Sequence, residues 1–327
     1  MRGKLRCKMR VLFAGSPAIA VPLLEALSAA EGITLAGVLT NPDSPKCRSG
    51  REIPTEVGEA AARIGSGEAL PVLKPIKLDA SAREQVSALK PDILVSFAYG
   101  RIFGPKFLAL FPLGGLNIHP SLLPKYRGPA PIQAAILNRD TVTGISVQKL
   151  AKEMDSGDIL AQEQLQLTGR ETSRSLGEIM AQRAAVLLPP VLRDIAEGTA
   201  RSRPQNHGEA GYCSLISRDN ALIDWKRSAA EIDAAVRAFD SRPYAWTVHG
   251  AKELLILKAA VYSGPAAQTG GNEAPALVLG IDKQAGILVK TGEGVLAVSE
   301  LQYQAKKVLE WRAFLNGARD FIGSILG

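Results

Sequence analysis

The chain has 327 residues, 46% of them hydrophobic and 22% charged, a balance that belongs to an ordered globular protein and excludes disordered and fibrous classes. A chain of this length exceeds what one hydrophobic core ordinarily fills, so two domains are expected. Lys and Arg total 39 against 32 Asp and Glu, a formal charge of +7, which tilts the protein toward polyanionic partners such as nucleic acid; a plain solubility role is the alternative that net charge leaves open.

Five basic residues, Arg2, Lys4, Arg6, Lys8 and Arg10, precede an apolar run from Val11 to Leu24, which outwardly matches a secretion signal. Gly15-Ser16-Pro17, Pro22 and Glu25 interrupt it, so a strand, a tight turn and a helix are expected instead. No stretch approaches the roughly 18 continuous apolar residues of a membrane span. Cys7, Cys47 and Cys213 are scattered, with neither CxxC nor a zinc spacing. A reducing, cytoplasmic setting without disulfides or metal is therefore expected.

Short apolar runs then alternate with helical periodicity, the pattern of a parallel-rich α/β sheet. Strands are predicted at Arg10–Ala14, Thr34–Thr40, Ile93–Phe97, Gly115–Ile118 and Gly144–Leu150. Helices are predicted at Ala18–Ala30, Thr55–Ile64, Ala80–Leu89, Ala130–Asn138 and Thr172–Gly198. The polar, turn-rich stretch from 202 to 217 reads as a linker between a first domain at 9–201 and a second at 218–327. In the second, a helix at Ser228–Phe239 precedes short β-like runs at Trp246–Val248, Leu254–Val261, Ala276–Asp282, Gly286–Thr291 and Gly294–Leu301. Their spacing suggests a small barrel or sandwich.

The Gly15-Ser16-Pro17 turn sits where a dinucleotide-binding fold carries GxGxxG, and it lacks the second and third glycines. Thr40 and Asn41 occupy the place of the ribose-binding acid, so a nicotinamide cofactor is excluded. Ligands of such sheets bind beyond the carboxyl ends of the strands. Asn117 and His119 end one predicted strand, and Asp155 follows another. An amide, an imidazole and a carboxylate without a Ser or Cys nucleophile suit acyl transfer through a tetrahedral intermediate. Asn117 and His119 are expected to donate to the oxyanion, while Asp155 orients the imidazole or a relaying water.

The run Leu116–Ile136, LNIHPSLLPKYRGPAPIQAAI, with Asp155 beyond it, resembles the signature of the 10-formyltetrahydrofolate-dependent formyltransferase superfamily, and within it the methionyl-tRNA formyltransferases. Phe13–Pro17, Asn41-Pro42-Asp43 and Ala98-Tyr99-Gly100 are similar to that family as well. So are Ile223-Asp224-Trp225, Arg237-Ala238-Phe239, Leu301-Gln302 and Phe314–Gly317, so the resemblance covers nearly the whole chain. It implies an α/β, Rossmann-like formyltransferase domain with a parallel-rich sheet, followed by a smaller OB-like β-barrel domain. It implies 10-formyltetrahydrofolate as co-substrate, initiator methionyl-tRNA as partner, and a monomer.

On the same resemblance Asn117, His119 and Asp155 match the catalytic positions, and Ser121, Leu122, Leu123 and Pro124 the folate-contacting segment. Lys46, Arg48 and Arg51 lie in the basic loop after the second strand, which matches the family's loop that reaches the tRNA acceptor end, with Arg48 at its key basic position. Lys125 and Arg127 are expected to steer that end beside the active site, a structural role being the equal alternative for Arg127, and Lys252, Lys258, Lys306 and Lys307 to add contacts from the barrel. The rival readings are a formyltransferase for a nucleotide-linked amino sugar, a hydrolase of the same folate, and a non-catalytic RNA-binding protein.

Overall fold

The computed structural model describes residues 8–45, 52–65, 70–241, 243–265 and 273–327. Two compact units emerge. The first gathers the described residues of Met1–Pro131, Val142–Gln166 and Gly177–Cys213; the second gathers Ile132–Thr141, Leu167–Leu176 and Ser214–Gly327. The stretch read above as a linker is therefore divided, with 202–213 in the first unit and 214–217 in the second.

In the first unit, β1 (Met9–Ala14), β2 (Ile33–Leu39), the short pair β3 (Ser44–Pro45) and β4 (Glu52–Ile53), β5 (Val72–Leu73), β6 (Ile93–Phe97) and β7 (Gly115–His119) precede β8 (Val142–Lys149) and β9 (Ile159–Gln166). Seven of these strands form one sheet in the order β5-β2-β1-β6-β7-β8-β9. Pairing is parallel from β5 to β7 and antiparallel from β7 to β9. All five residues of β6 are buried, as expected of a parallel strand covered on both faces. β9 went unpredicted because ILAQEQLQ is polar at alternate positions and lies at the sheet edge, where one face meets water.

The helices begin where their capping residues stand. Thr55 caps α2 (Glu56–Ile64) by accepting from Gly58 N at 3.0 Å, and Asp79 caps α3 (Ala80–Ala88) from Ala82 N at 3.1 Å; such caps contribute about 1 kcal/mol each. Helices α1 (Val21–Ala29), α5 (Pro131–Leu137) and α6 (Ser173–Glu197) follow the predicted pattern, and a single turn, α4 (Pro105–Leu108), is added. One part of the core packs Leu12, Leu39 and Leu94 with the aromatic ladder Tyr99, Phe103, Phe107 and Phe111.

The second unit contains α7 (Ala229–Ala238), entered through a capping box of Ser228 and Glu231. Then come β10 (Trp246–His249), β11 (Lys252–Val261), β12 (Val278–Asp282), β13 (Gly286–Lys290), β14 (Val295–Tyr303), β15 (Leu309–Glu310) and the unpredicted α8 (Trp311–Gly317). The antiparallel sheet runs β10-β11-β14-β13-β12, with β15 beside β14. The chain's last residues join its two edges. Val278 N donates to Ser324 O at 2.9 Å and Leu326 N to Ala276 O at 3.0 Å on the β12 side, while Gly327 N reaches Val248 O of β10 at 2.9 Å. The tail thereby closes the sheet into a barrel and removes its exposed edges. Inside, Trp225 Nε1 donates to buried Thr247 Oγ1 at 2.9 Å, so the indole is packed without an orphaned N–H. Among the described residues no helix is long and apolar enough to cross a membrane.

Candidate active site

β7 and β8 bring the polar groups together. Their antiparallel register sets Asn117 opposite Gln148 and His119 opposite Ser146, and directly opposed residues share a face. Gln148 Nε2 and Asn117 Nδ2 both donate to Asp155 Oδ1, at 2.8 and 3.2 Å, while Gly128 N donates to Oδ2 at 2.9 Å. The three predicted side chains are therefore gathered around one carboxylate that is only 10% exposed. Gln148 escaped the sequence reading, although its alternation with Ile145 and Val147 in β8 marks a polar row on a buried strand.

His119 is 4% exposed. Its Nε2 lies 2.7 Å from Tyr126 O. A carbonyl oxygen only accepts, so Nε2 carries the ring proton. Burial holds the imidazole below its ordinary range, against the smaller opposing pull of Asp155 and the Tyr126 carbonyl. The ring is accordingly neutral near pH 7, and Nδ1 is a bare acceptor 3.6 Å from Asp155 Oδ2. That gap is too long for a hydrogen bond and, with a neutral ring, is not an ion pair. Two acceptors facing each other across it form a receptor for a proton donor. In this arrangement the single N–H of the neutral ring is engaged by Tyr126 O, and Nδ1 is left as an acceptor. Asn117 gives one Nδ2 hydrogen to Asp155 and retains a second.

The segment Ser121–Pro124 is clamped over β8. Ser146 Oγ donates to Ser121 O at 2.6 Å and accepts from Leu123 N at 3.1 Å, and Gln162 Nε2 reaches Leu123 O at 2.9 Å. Ser121 and Leu123 are buried, Leu122 and Pro124 half-buried. Leu122 packs on Gly144, where an added Cβ would lie 2.4 Å from Leu122 Cδ2. Upstream, Ser16 Oγ accepts from Asn41 N at 3.1 Å, and Asn41 Nδ2 donates to Tyr99 O at 3.2 Å. The Gly-Ser-Pro, Asn-Pro-Asp and Ala-Tyr-Gly motifs thus meet at one end of the sheet.

Of the residues expected to meet tRNA, Lys46, Arg48 and Arg51 lie outside the described residues, between β3 and β4. Lys125 is exposed, its Nζ 4.7 Å from the Tyr126 ring centroid. Arg127 takes the structural alternative: it is 1% exposed and its guanidinium points inward, with Nε and Nη2 on Gln205 Oε1 at 3.1 and 2.8 Å. A group withdrawn from water in this way does not meet a phosphate backbone. Among the described residues no group of three His, Cys, Asp or Glu is placed to hold a metal ion.

Gly157 marks how tightly the Asp155 turn is folded, since a Cβ there would stand 1.8 Å from Lys149 O. Gly157→Ala is expected to lower stability by about 2–3 kcal/mol through backbone displacement, read as a lower denaturant midpoint. An unchanged midpoint would show that the turn yields freely.

The sequence profile of the family described as "Formyl transferase" matches residues 7–192, and that of "Formyl transferase, C-terminal domain" matches 215–319. A methionyl-tRNA formyltransferase of Treponema denticola is 46% identical over 318 residues, 96% of this chain and 98% of that protein. Among solved structures, an N-formyltransferase from Helicobacter canadensis, solved with folinic acid and dTDP-3-aminofucose, has a TM-score of 0.62 at 20% identity, covering 89% of this chain and 99% of that one. A methionyl-tRNA formyltransferase from Clostridium thermocellum has a TM-score of 0.53 at 17% identity over 78% and 94% of the two chains. At those identities the solved structures establish the fold, and the 46% likeness over almost the full length carries the kinship. The chain belongs to the methionyl-tRNA formyltransferase family.

Proposed function

We propose that this chain transfers the formyl group of 10-formyltetrahydrofolate to the amino group of methionyl initiator tRNA, by direct attack through a tetrahedral intermediate. The observation that carries this reading is the Asn117, His119 and Asp155 cluster, in which a neutral imidazole nitrogen and a carboxylate oxygen face each other 3.6 Å apart, in a chain resembling its relatives along nearly its whole length. The amine nitrogen attacks the formyl carbon, and the carbonyl π electrons move onto oxygen. The second Nδ2–H of Asn117 stabilises that oxyanion. His119 Nδ1 takes the proton from the attacking nitrogen, and Asp155 stabilises the imidazolium. Collapse expels N10 of the folate, which receives the proton from His119, leaving tetrahydrofolate and the formylated amine. No covalent enzyme intermediate and no metal enters these steps.

Ser121–Pro124, held by Ser146 and Gln162, is proposed as the folate-facing wall, with the half-buried Leu122 and Pro124 supplying its apolar surface. Lys125 and the loop residues Lys46, Arg48 and Arg51 are proposed to neutralise phosphates at the acceptor end. The same reading makes the protein a cytoplasmic monomer. Arg48→Ala is expected to raise KM for tRNA about tenfold while KM for the folate stays within about twofold. An unchanged tRNA KM would remove Arg48 from the interface.

The reaction is tested by product analysis. Formylmethionyl-tRNA should appear in equal amount with tetrahydrofolate. Release of formate with no formylated acceptor would replace transfer by hydrolysis.

A further inference from the structure

Asp155 adopts φ +53°, in the left-handed region that a non-glycine residue keeps only where its surroundings fix it. Three donors hold its carboxylate, and a separate group holds its backbone. Gln205 Nε2 donates to Asp155 O at 2.8 Å and to Gly157 O at 2.7 Å. The orientation of that amide follows from Arg127. A guanidinium only donates, so the oxygen of Gln205 must face Nε and Nη2 of Arg127, at 3.1 and 2.8 Å, and its NH2 must face the 155–157 turn. Arg127 is held in turn by Tyr212 Oη at 3.2 Å and by His207 Nδ1 at 3.1 Å. Gln205 is 5% exposed, so its own bonds to Arg127 and Gly157 are made away from competing water.

We propose that Gln205 is a positioning residue for Asp155, and that Arg127 acts through it by fixing which end of the amide meets the turn. The inference rests on the role given to Asp155 under the proposed function. Neither side chain touches the reacting atoms. Their effect is to keep the Asp155 carboxylate facing His119 Nδ1, in a conformation the turn would otherwise leave. The segment 202–213 thereby supplies a part of the catalytic apparatus from a stretch that reads in sequence as a spacer.

Gln205→Glu in the full-length chain separates the two ends of the amide. The carboxylate keeps both contacts to Arg127, and it sets an oxygen against the carbonyls of Asp155 and Gly157 where a donor stood. The expected result is a fall in kcat of about 10- to 100-fold, as for small displacements of a catalytic group, with KM for folate and tRNA within about threefold. Arg127→Lys should lose a smaller factor. The double variant should be no slower than Gln205→Glu alone, because the two residues lie on one line of action. A folded Gln205→Glu with kcat within twofold of the parent overturns the inference, as does a double variant whose losses multiply. Should Gln205→Glu not fold, Arg127→Lys decides by the same criterion. A crystal structure of Gln205→Glu gives a readout independent of turnover: Asp155 leaving positive φ supports the inference, and an unchanged turn overturns it. Failure of the parent chain to formylate methionyl-tRNA would instead sink the proposed function, with that structural readout still deciding the role of Gln205.

Discussion

Asp155→Asn is expected to lower kcat by about 10³-fold, with KM for 10-formyltetrahydrofolate within about threefold. The carboxylate accepts from Asn117, Gln148 and Gly128 and offers an oxygen toward His119 Nδ1. An asparagine amide satisfies the first two donors through its oxygen. Its NH2 is then set against Gly128 N–H and toward Nδ1, which it occupies as a donor. The imidazole loses its proton-accepting lone pair, and the imidazolium loses the negative charge that stabilises it. The proposed folate-facing wall, Ser121–Pro124, is held by Ser146 and Gln162 independently of Asp155. Turnover within tenfold of the parent would remove Asp155 from the chemistry.

His119→Ala is the second large effect, expected at about 10²- to 10³-fold in kcat through loss of the base. The substitution also removes a hydrogen bond from the buried Tyr126 carbonyl, which still accepts from Cys213 Sγ at 3.6 Å, at about 1 kcal/mol of stability, so activity is to be compared under conditions where the variant is folded. The pH dependence tests the same residue without mutation. Burial lowers the His119 pKa below the 6.5 of an ordinary imidazole. The proposed base is therefore already neutral above pH 6.5, and its accepting lone pair is lost as the pH falls through the lower, folded value. The sign for stability follows the same way. Above pH 6.5 both folded and unfolded rings are neutral and contribute nothing. Below it the unfolded chain takes up a proton first, and stability falls until the folded pKa is passed. A His119 ring that titrates above pH 6.5 by NMR in the substrate-free protein would contradict the neutral, acceptor role of Nδ1.

Of the trio proposed as catalytic, Asn117 and His119 were legible because they close β7 at the sheet's ligand-binding edge, whereas Asp155 follows β8, which runs antiparallel to β7, and reaches Asn117 from the turn between β8 and β9. The groups that hold the trio were hidden. Gln148 and Ser146 alternate with Ile145 and Val147 in a strand whose buried polar face is visible only once β9 and its Gln162 are paired beside it. Gln205 lay in a segment so polar that it reads as exposed, because polarity in sequence does not distinguish a solvated group from one satisfied inside. Arg127 shows the same: its charge left a surface and a structural role equally open in sequence, and the structure buries it. The close packing that buries it is marked by Gly128, at φ +117°, where an added Cβ would lie 2.1 Å from Cys213 O. In the second unit, the short β-like runs announced a small β domain, while barrel closure by residues 324–327 depends on backbone pairing that the terminal Gly-Ser-Ile-Leu-Gly does not advertise.

The central claim is most directly tested by measuring formyl transfer from 10-formyltetrahydrofolate to methionyl initiator tRNA, with methionyl elongator tRNA and a uridine-diphosphate amino sugar as parallel acceptors. The account predicts strong preference for the initiator tRNA, with Asp155→Asn inactive in the same assay. Preference for the sugar, or folate turnover undiminished when every acceptor is omitted, would contradict it.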